Sequence, residues 1–292
     1  MNSRLLPVFM DAALALVAAC AGDPPPPPSA NAVASFAPDS TVVRVVGTGA
    51  MTPLAMRLAA AWTEHLRGEP VVVEASVGSG GGIRAAVEGA ADLGMISRGL
   101  TDNEMHLQLL VVPIARDAVV LATHPGVGAK NLTSAQIMDF YSGSVTMFPD
   151  GTPVTVLLRD RQESANGVLD RMVPGLAAIR EEARRTHRFQ VLYHDDAMGV
   201  TLATLPGALG VFSLGVAVTG KVPLNIPAID GVVPSLTTMA DGSWIATREL
   251  AFVLRPDRLE RVRPFLKFVG SSDGRQLIEA SGYLPLPFSG VP

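Results

Sequence analysis

Four segments set glycine, hydroxyl or guanidinium groups at points where a strand is expected to give way to a helix. The first is Gly47-Thr48-Gly49-Ala50-Met51-Thr52-Pro53. Here Thr52 is placed to cap the helix, Pro53 suits its first turn, and the glycines let the backbone approach a ligand. The second is Gly78-Ser79-Gly80-Gly81-Gly82-Ile83, with four glycines in five residues ahead of a helix expected over 83–89. Packing does not ask for such a run, so the loop is either simply flexible or its backbone wraps something. The third, Asp92-Leu93-Gly94-Met95-Ile96-Ser97-Arg98, is a strand ending in a polar pair. The Arg98 guanidinium can grip an oxyanion through two N–H groups, or lie solvated on the surface. The fourth, Arg159-Asp160-Arg161-Gln162-Glu163-Ser164-Ala165-Asn166, follows another strand and offers Ser164 as a helix cap. A helix N-terminus presents free N–H groups and the positive end of its dipole, so this repeated design suits an anion. Neither GxGxxG nor GxxxxGK[ST] occurs, and nucleotide binding is not indicated.

Constellations for catalysis are missing. The five histidines (His65, His106, His124, His187, His194) form no HExxH or other close metal-ligand pair. Asp195-Asp196 is a carboxylate pair, but adjacent residues on a strand point to opposite faces, and the pair is expected in a loop. No enzyme activity, cofactor or metal is expected.

The elements that must hold these segments follow from the apolar runs. Strands are expected at 41–46, 71–76, 92–96, 110–114, 118–123, 153–158, 208–212 and 250–254. Several are Val-rich with little alternation, as in strands buried on both faces. Leu54, Leu58, Trp62 and Leu66 recur every four residues, one face of a helix. Leu259, Val262, Leu266 and Val269 repeat that spacing, and Leu132-Thr133-Ser134-Ala135-Gln136 offers an N-cap before Ile137 and Phe140. Strands alternating with helices imply an α/β fold with mostly parallel sheets, and 292 residues suit two sheets with a cleft between them.

Composition narrows the class further. With 48% hydrophobic and 17% charged residues the chain is no disordered polymer, and its single cysteine excludes a disulfide scaffold. A net charge of -4 with scattered basic residues argues against nucleic acid as a partner. Residues 5–19 are apolar apart from Asp11, too short to span a bilayer, and follow Arg4 as an export signal does. Val17-Ala18-Ala19 runs into Cys20, which resembles a bacterial lipobox despite Asp11. We therefore expect a signal peptide over 1–19, lipidation at Cys20 and a tether over 20–40. Pro24 to Pro28 make that tether an extended, semi-rigid spacer.

Taken together, the four segments resemble the substrate-binding lipoproteins of phosphate ABC transporters, the periplasmic phosphate-binding protein family. The resemblance runs through GTGAMTPL (47–54), VGSGGGIRAAVEGAADLGMISRGL (77–100), NLTSAQIMDFYSG (131–143), LPGALGVFSLG (205–215) and FLKFVGSSDGRQLIEASGYLPLP (265–287). It implies an α/β, two-lobed periplasmic binding protein fold of type II, the lobes joined by two crossover strands with the ligand cleft between. Lobe I would comprise 41–120 and 228–292, and lobe II 121–227. By position it assigns ligand contacts to Thr48, Gly49 and Thr52 in the first loop, and to Ser79, Gly80 and Gly81 in the second. Ser97 and Arg98 follow in the third, with Arg159 as the clamp arginine and Ser164 as a serine cap of the second lobe. Two departures stand out. The family usually reads Ser-Gly-Thr after that arginine, where this chain has Ser164-Ala165-Asn166, with one residue's uncertainty in the spacing. Many members also place an aspartate at Ser97, which accepts the proton of hydrogen phosphate, although other members carry Ser-Arg as here. The resemblance implies a lipid-anchored, extracytoplasmic monomer that delivers phosphate or a related oxyanion to a membrane ABC permease. The alternative is a diverged oxyanion sensor or partner-docking lipoprotein with no transport role.

Overall fold

A computed structural model describes residues 41–66 and 69–288. The expected signal run, Cys20 and the proline tether lie outside the described residues. Eleven strands are found among them: β1 (Val43–Gly47), β2 (Val71–Val73), β3 (Leu93–Ile96), β4 (Leu110–Thr123), β5 (Asn131–Leu132), β6 (Thr155–Arg159), β7 (Gln190–Leu192), β8 (Ala208–Ser213), β9 (Ala228–Ile229), β10 (Thr247–Leu254) and β11 (Leu284–Pro285). The order β2-β1-β3-β10-β4-β8-β6-β7 forms one continuous path, with β11 beside β4, while β5 and β9 pair separately. β1, β2 and β3 are mutually parallel, as are β6, β7 and β8, so the expected parallel sheets are present.

β4 links the two halves. The sequence suggests two strands, 110–114 and 118–123, but the chain runs through as one strand of 14 residues. Its first part pairs antiparallel with β10, from Leu110↔Leu254 to Ala118↔Thr247, and its last part with β8, from Val119↔Ser213 to Thr123↔Leu209. The register slips by one residue at Ile114, between Pro113 and Ala115. A bulge is where a strand tolerates a proline, which has no N–H to give the ladder. The chain crosses back just before β10, where Val119 N–H donates to Ala246 O at 2.8 Å. These two passages are the crossover strands.

Each half has its own core. In the first, Leu54, Leu58 and Trp62 of the helix Thr52–Leu66 are buried at the expected four-residue spacing, against Val45, Met95 and Phe252. Val262, Leu266 and Val269 of the helix Leu259–Gly270 close the same core, with Trp62 edge-on to Phe265 at 6.1 Å. In the second half, Thr133 caps the helix Ser134–Ser142 in a capping box with Gln136, and Ile137, Phe140 and Tyr141 turn inward. That core also takes in Ile229, Met239, Trp244 and Ala246. The chain between Ile229 and Ala246 thus contributes side chains to the same core as β6 and β8. The reason is the short β5–β9 ladder, Asn131↔Ala228 and Leu132↔Ile229, which ties the returning chain to the second lobe before it crosses.

Candidate functional site

The four segments singled out in the sequence converge on one cleft of about 860 Å³, lined by both lobes. β1 ends at Gly47, where a Cβ would lie 2.1 Å from Met95 O, so no other residue fits. The turn that follows buries Thr48, whose hydroxyl stands 3.0 Å from Ser97 Oγ. Gly49 lines the cleft. Thr52 does not: it is the first residue of its helix and its hydroxyl donates back to Thr48 O at 3.2 Å, tightening the turn.

The glycine run is helical, not a loop. The helix spans Gly78–Glu88 rather than starting at 83, and Gly78 enters it at φ +73°. Gly82 presses on the sheet, because an added Cβ would lie 2.9 Å from Gly47 Cα and Met95 O. Packing therefore does explain part of the run, since a helix can approach a sheet this closely only without a side chain there. No side-chain hydrogen bond caps this helix, and Ser79, Gly80 and Gly81 of its first turn line the cleft.

Ser97, directly after β3, is the hub of a hydroxyl cluster. Its Oγ lies 3.0 Å from Thr48 Oγ1, 3.3 Å from Ser79 Oγ and 3.1 Å from Ser164 Oγ, and its N–H donates to Ser79 Oγ at 3.1 Å. Thr48, Ser79 and Ser97 come from the first lobe and Ser164 from the second. Arg98 stands at the rim, where Nη1 and Nη2 donate to Glu104 at 2.6 and 2.8 Å. That paired geometry holds the Glu104 carboxyl down at about 2.

In the second lobe β6 delivers Arg159, fully enclosed, into the cleft wall. It donates to His194 O at 2.9 Å and to Glu163 at 3.0 Å, and lies 3.3 Å from Asp195 Oδ1. Ser164 is expected as the helix cap, but the helix Ser164–Met172 is capped by the residue before it, Glu163, which accepts from Ala165 N–H. A carboxylate serves better there because it also faces two guanidiniums. Arg248 of β10 donates to Asp117 at 3.1 Å, to Glu163 at 3.1 Å and to Ser164 Oγ at 2.9 Å. Burial alone would push the Glu163 carboxyl up, but Arg248 and Arg159 together hold it below the usual carboxylate range.

Sequence reasoning missed Arg248, Asp117 and Asp195. Arg248 and Asp117 sit on paired strands with no local signal. Asp195 is not in a loop but opens the helix Asp195–Thr204, where an acidic first turn suits the dipole. Two acidic residues ahead of an apolar stretch are a start signal for a helix, and that reading would have found it. Among the described residues no group of three or more His, Cys, Asp or Glu side chains is arranged to hold a metal ion, and no helix is long and apolar enough to cross a membrane.

Comparisons with known proteins find relatives of the same fold. A family model described as a PBP superfamily domain matches residues 32–272. The phosphate-binding protein PstS of Borreliella burgdorferi is 22% identical over 251 residues, covering 83% of this chain and 89% of that protein. A structure described as a phosphate ABC transporter substrate-binding protein with bound phosphate, from Clostridium perfringens, superposes with a TM-score of 0.72. It is 22% identical and covers 84% of this chain and 99% of its own. An ABC-type phosphate transport receptor from Vibrio cholerae gives a TM-score of 0.59 at 20% identity, covering 84% of this chain and all of that one (100%). The likeness to these structures is one of fold, and it fits the two-lobed arrangement seen here.

Proposed function

This chain belongs to the PBP superfamily, and we propose that its cleft captures inorganic phosphate, or a similar oxyanion, outside the cytoplasm for an ABC importer. The observation that carries this reading is the hydroxyl cluster of Thr48, Ser79, Ser97 and Ser164, which joins the two lobes beside an uncapped helix N-terminus. Hydroxyl and backbone N–H groups replace the hydration shell of an oxyanion without a metal. Gly49 lets the ligand approach the backbone, Gly80 and Gly81 offer amides, and Arg159 supplies positive charge at the floor. Arg98 guards the rim. In this reading Thr52 shapes the first turn and does not touch the ligand.

Binding works by closure. A ligand that bonds Ser97 in one lobe and Ser164 in the other stabilises the closed arrangement of β4 and β10 over the open one. The closed form is then presented to a membrane permease. Cys20, lipidated, anchors the monomer to the membrane, and the proline segment holds the lobes clear of it. The names of the similar proteins support phosphate, and the lipobox-like run supports the anchor.

Calorimetry with phosphate, sulfate, molybdate and tungstate on the domain from residue 41 tests the reading. Saturable binding of phosphate at one site per chain is expected. Absence of heat and of any thermal shift with all four would overturn it.

A further inference from the structure

The cleft is much larger than a tetrahedral anion. Ser97 Oγ and Ser164 Oγ meet at 3.1 Å across the lobes, and Arg248 Nη1 donates to the same Ser164 Oγ at 2.9 Å. Gly49 lies so near Asp195 that a Cβ there would stand 2.4 Å from Oδ2. The lobes are therefore in contact at the floor, yet the cleft still holds about 860 Å³. The five heavy atoms of a phosphate, at the ~30 Å³ a water molecule takes in the liquid, fill only about 150 Å³. Pockets that enclose whole organic molecules run from about 300 to 1,000 Å³.

The lining divides by depth. Thr48 and Ser97 are buried, whereas Val77, Leu107 and Tyr193 line the same cleft at 54%, 41% and 65% exposure. Hydroxyls thus gather at the floor and apolar side chains at the mouth. Val77 lies over the first turn of the glycine helix, where a Cβ on Gly81 would be 2.6 Å from its Cγ2. Leu107 follows the short helix Asp102–Met105, and Tyr193 directly follows β7 in the second lobe. Both lobes therefore turn apolar surface toward the outer cleft. Among the described residues Tyr193 has neither a hydrogen-bond partner nor a ring partner, so its rigid ring is free to cover a ligand. Hydroxyls at the floor are placed to hold the terminal oxygens of a phosphoryl group and to leave the last oxygen directed at the mouth. In a monoester that oxygen carries the organic group, and the phosphoryl end remains a dianion above its second pKa of about 6. We infer that the cleft also takes organic phosphate monoesters, with the phosphoryl group on the hydroxyl cluster and an apolar or aromatic substituent against Tyr193, Val77 and Leu107.

This inference rests on the oxyanion reading above. Calorimetry at pH 8 on the full chain and its Tyr193→Ala variant, with inorganic phosphate, methyl phosphate and phenyl phosphate, tests it. Both esters are dianions at that pH, so the ratio of their affinities reports the outer cleft. The wild type should bind phenyl phosphate about tenfold more tightly than methyl phosphate, as expected for covering one ring. Tyr193→Ala should cut that preference at least threefold. Met56→Ala, which removes a side chain 56% exposed and outside the cleft, should leave it unchanged. Equal binding of the two esters by the wild type, or an undiminished preference in Tyr193→Ala, overturns the inference. Binding of inorganic phosphate with both esters excluded also overturns it and leaves the oxyanion reading standing. If none of the three binds, the oxyanion reading falls and the inference falls with it.

Discussion

Ser97 Oγ of the first lobe stands 3.1 Å from Ser164 Oγ of the second. The two side chains close the cleft at one point, and Ser97 also touches Thr48 and Ser79. Hydrogen bonds to a charged ligand contribute about 1.5–3 kcal/mol each. Ser97→Ala and Ser164→Ala should each weaken phosphate binding roughly 10- to 100-fold in calorimetric titration. The expected loss is in affinity, with one site per chain retained.

Arg159 contributes to both fold and function. It is 2% exposed and meets Glu163 and Asp195, so removing it leaves carboxylates buried with too little compensation. Arg159→Met should abolish phosphate binding and lower stability by about 3–5 kcal/mol in urea unfolding. Arg161→Ala is the matching control. That arginine is 69% exposed and pairs with Glu181 at the surface, so neither readout should move.

The glycine helix separates packing from binding. A Cβ at Gly82 would lie 2.9 Å from Gly47 Cα, and Gly82→Ala should cost about 1–3 kcal/mol through overpacking. A Cβ at Gly80 meets nothing closer than Arg98 Nη2 at 4.0 Å. Gly80→Ala should therefore leave the melting temperature unchanged or slightly raised, as alanine favours a helix. Thermal unfolding of the two variants side by side checks both statements.

How much of this was legible in the sequence depends on whether a feature is local. The N-cap at Thr133 and the stripe Leu54-Leu58-Trp62 follow from spacing alone and stand where expected. β5, β7, β9 and β11 are two or three residues long and owe their existence to a partner strand, so no run of apolar residues marks them. The same holds for the site. Thr48, Ser79, Ser97 and Ser164 each sit at the end of a strand or the start of a helix, where type and position could be read. Arg248 could not, because its meaning comes from Asp117 across a ladder joining residues 131 apart. The glycine run was misread in part: its sequence suggests a flexible or ligand-wrapping loop with no packing role, yet it is helical and Gly82 is needed where the helix meets the protein's own backbone.

The Arg98–Glu104 pair gives a pH signature at the rim. Its Glu104 carboxyl falls from the ordinary 4.5 to about 2, chiefly through its bond to Arg98. A folded-state value below the unfolded one means the pair stabilises the fold above about pH 4.5, and that contribution fades as pH falls toward 2. Glu104→Gln should melt lower than the wild type at pH 7, and the two melting temperatures should converge between pH 4.5 and 2. Parallel melting curves over that range would contradict the assignment.

The most direct measurement is a crystal structure of the domain grown with phosphate. The account predicts an anion between the lobes, within hydrogen-bond distance of the hydroxyls of Ser79, Ser97 and Ser164 and of the first-turn N–H groups of the helix Gly78–Glu88. A cleft that stays empty at saturating phosphate, or an anion bound away from Ser97 and Ser164, would contradict it.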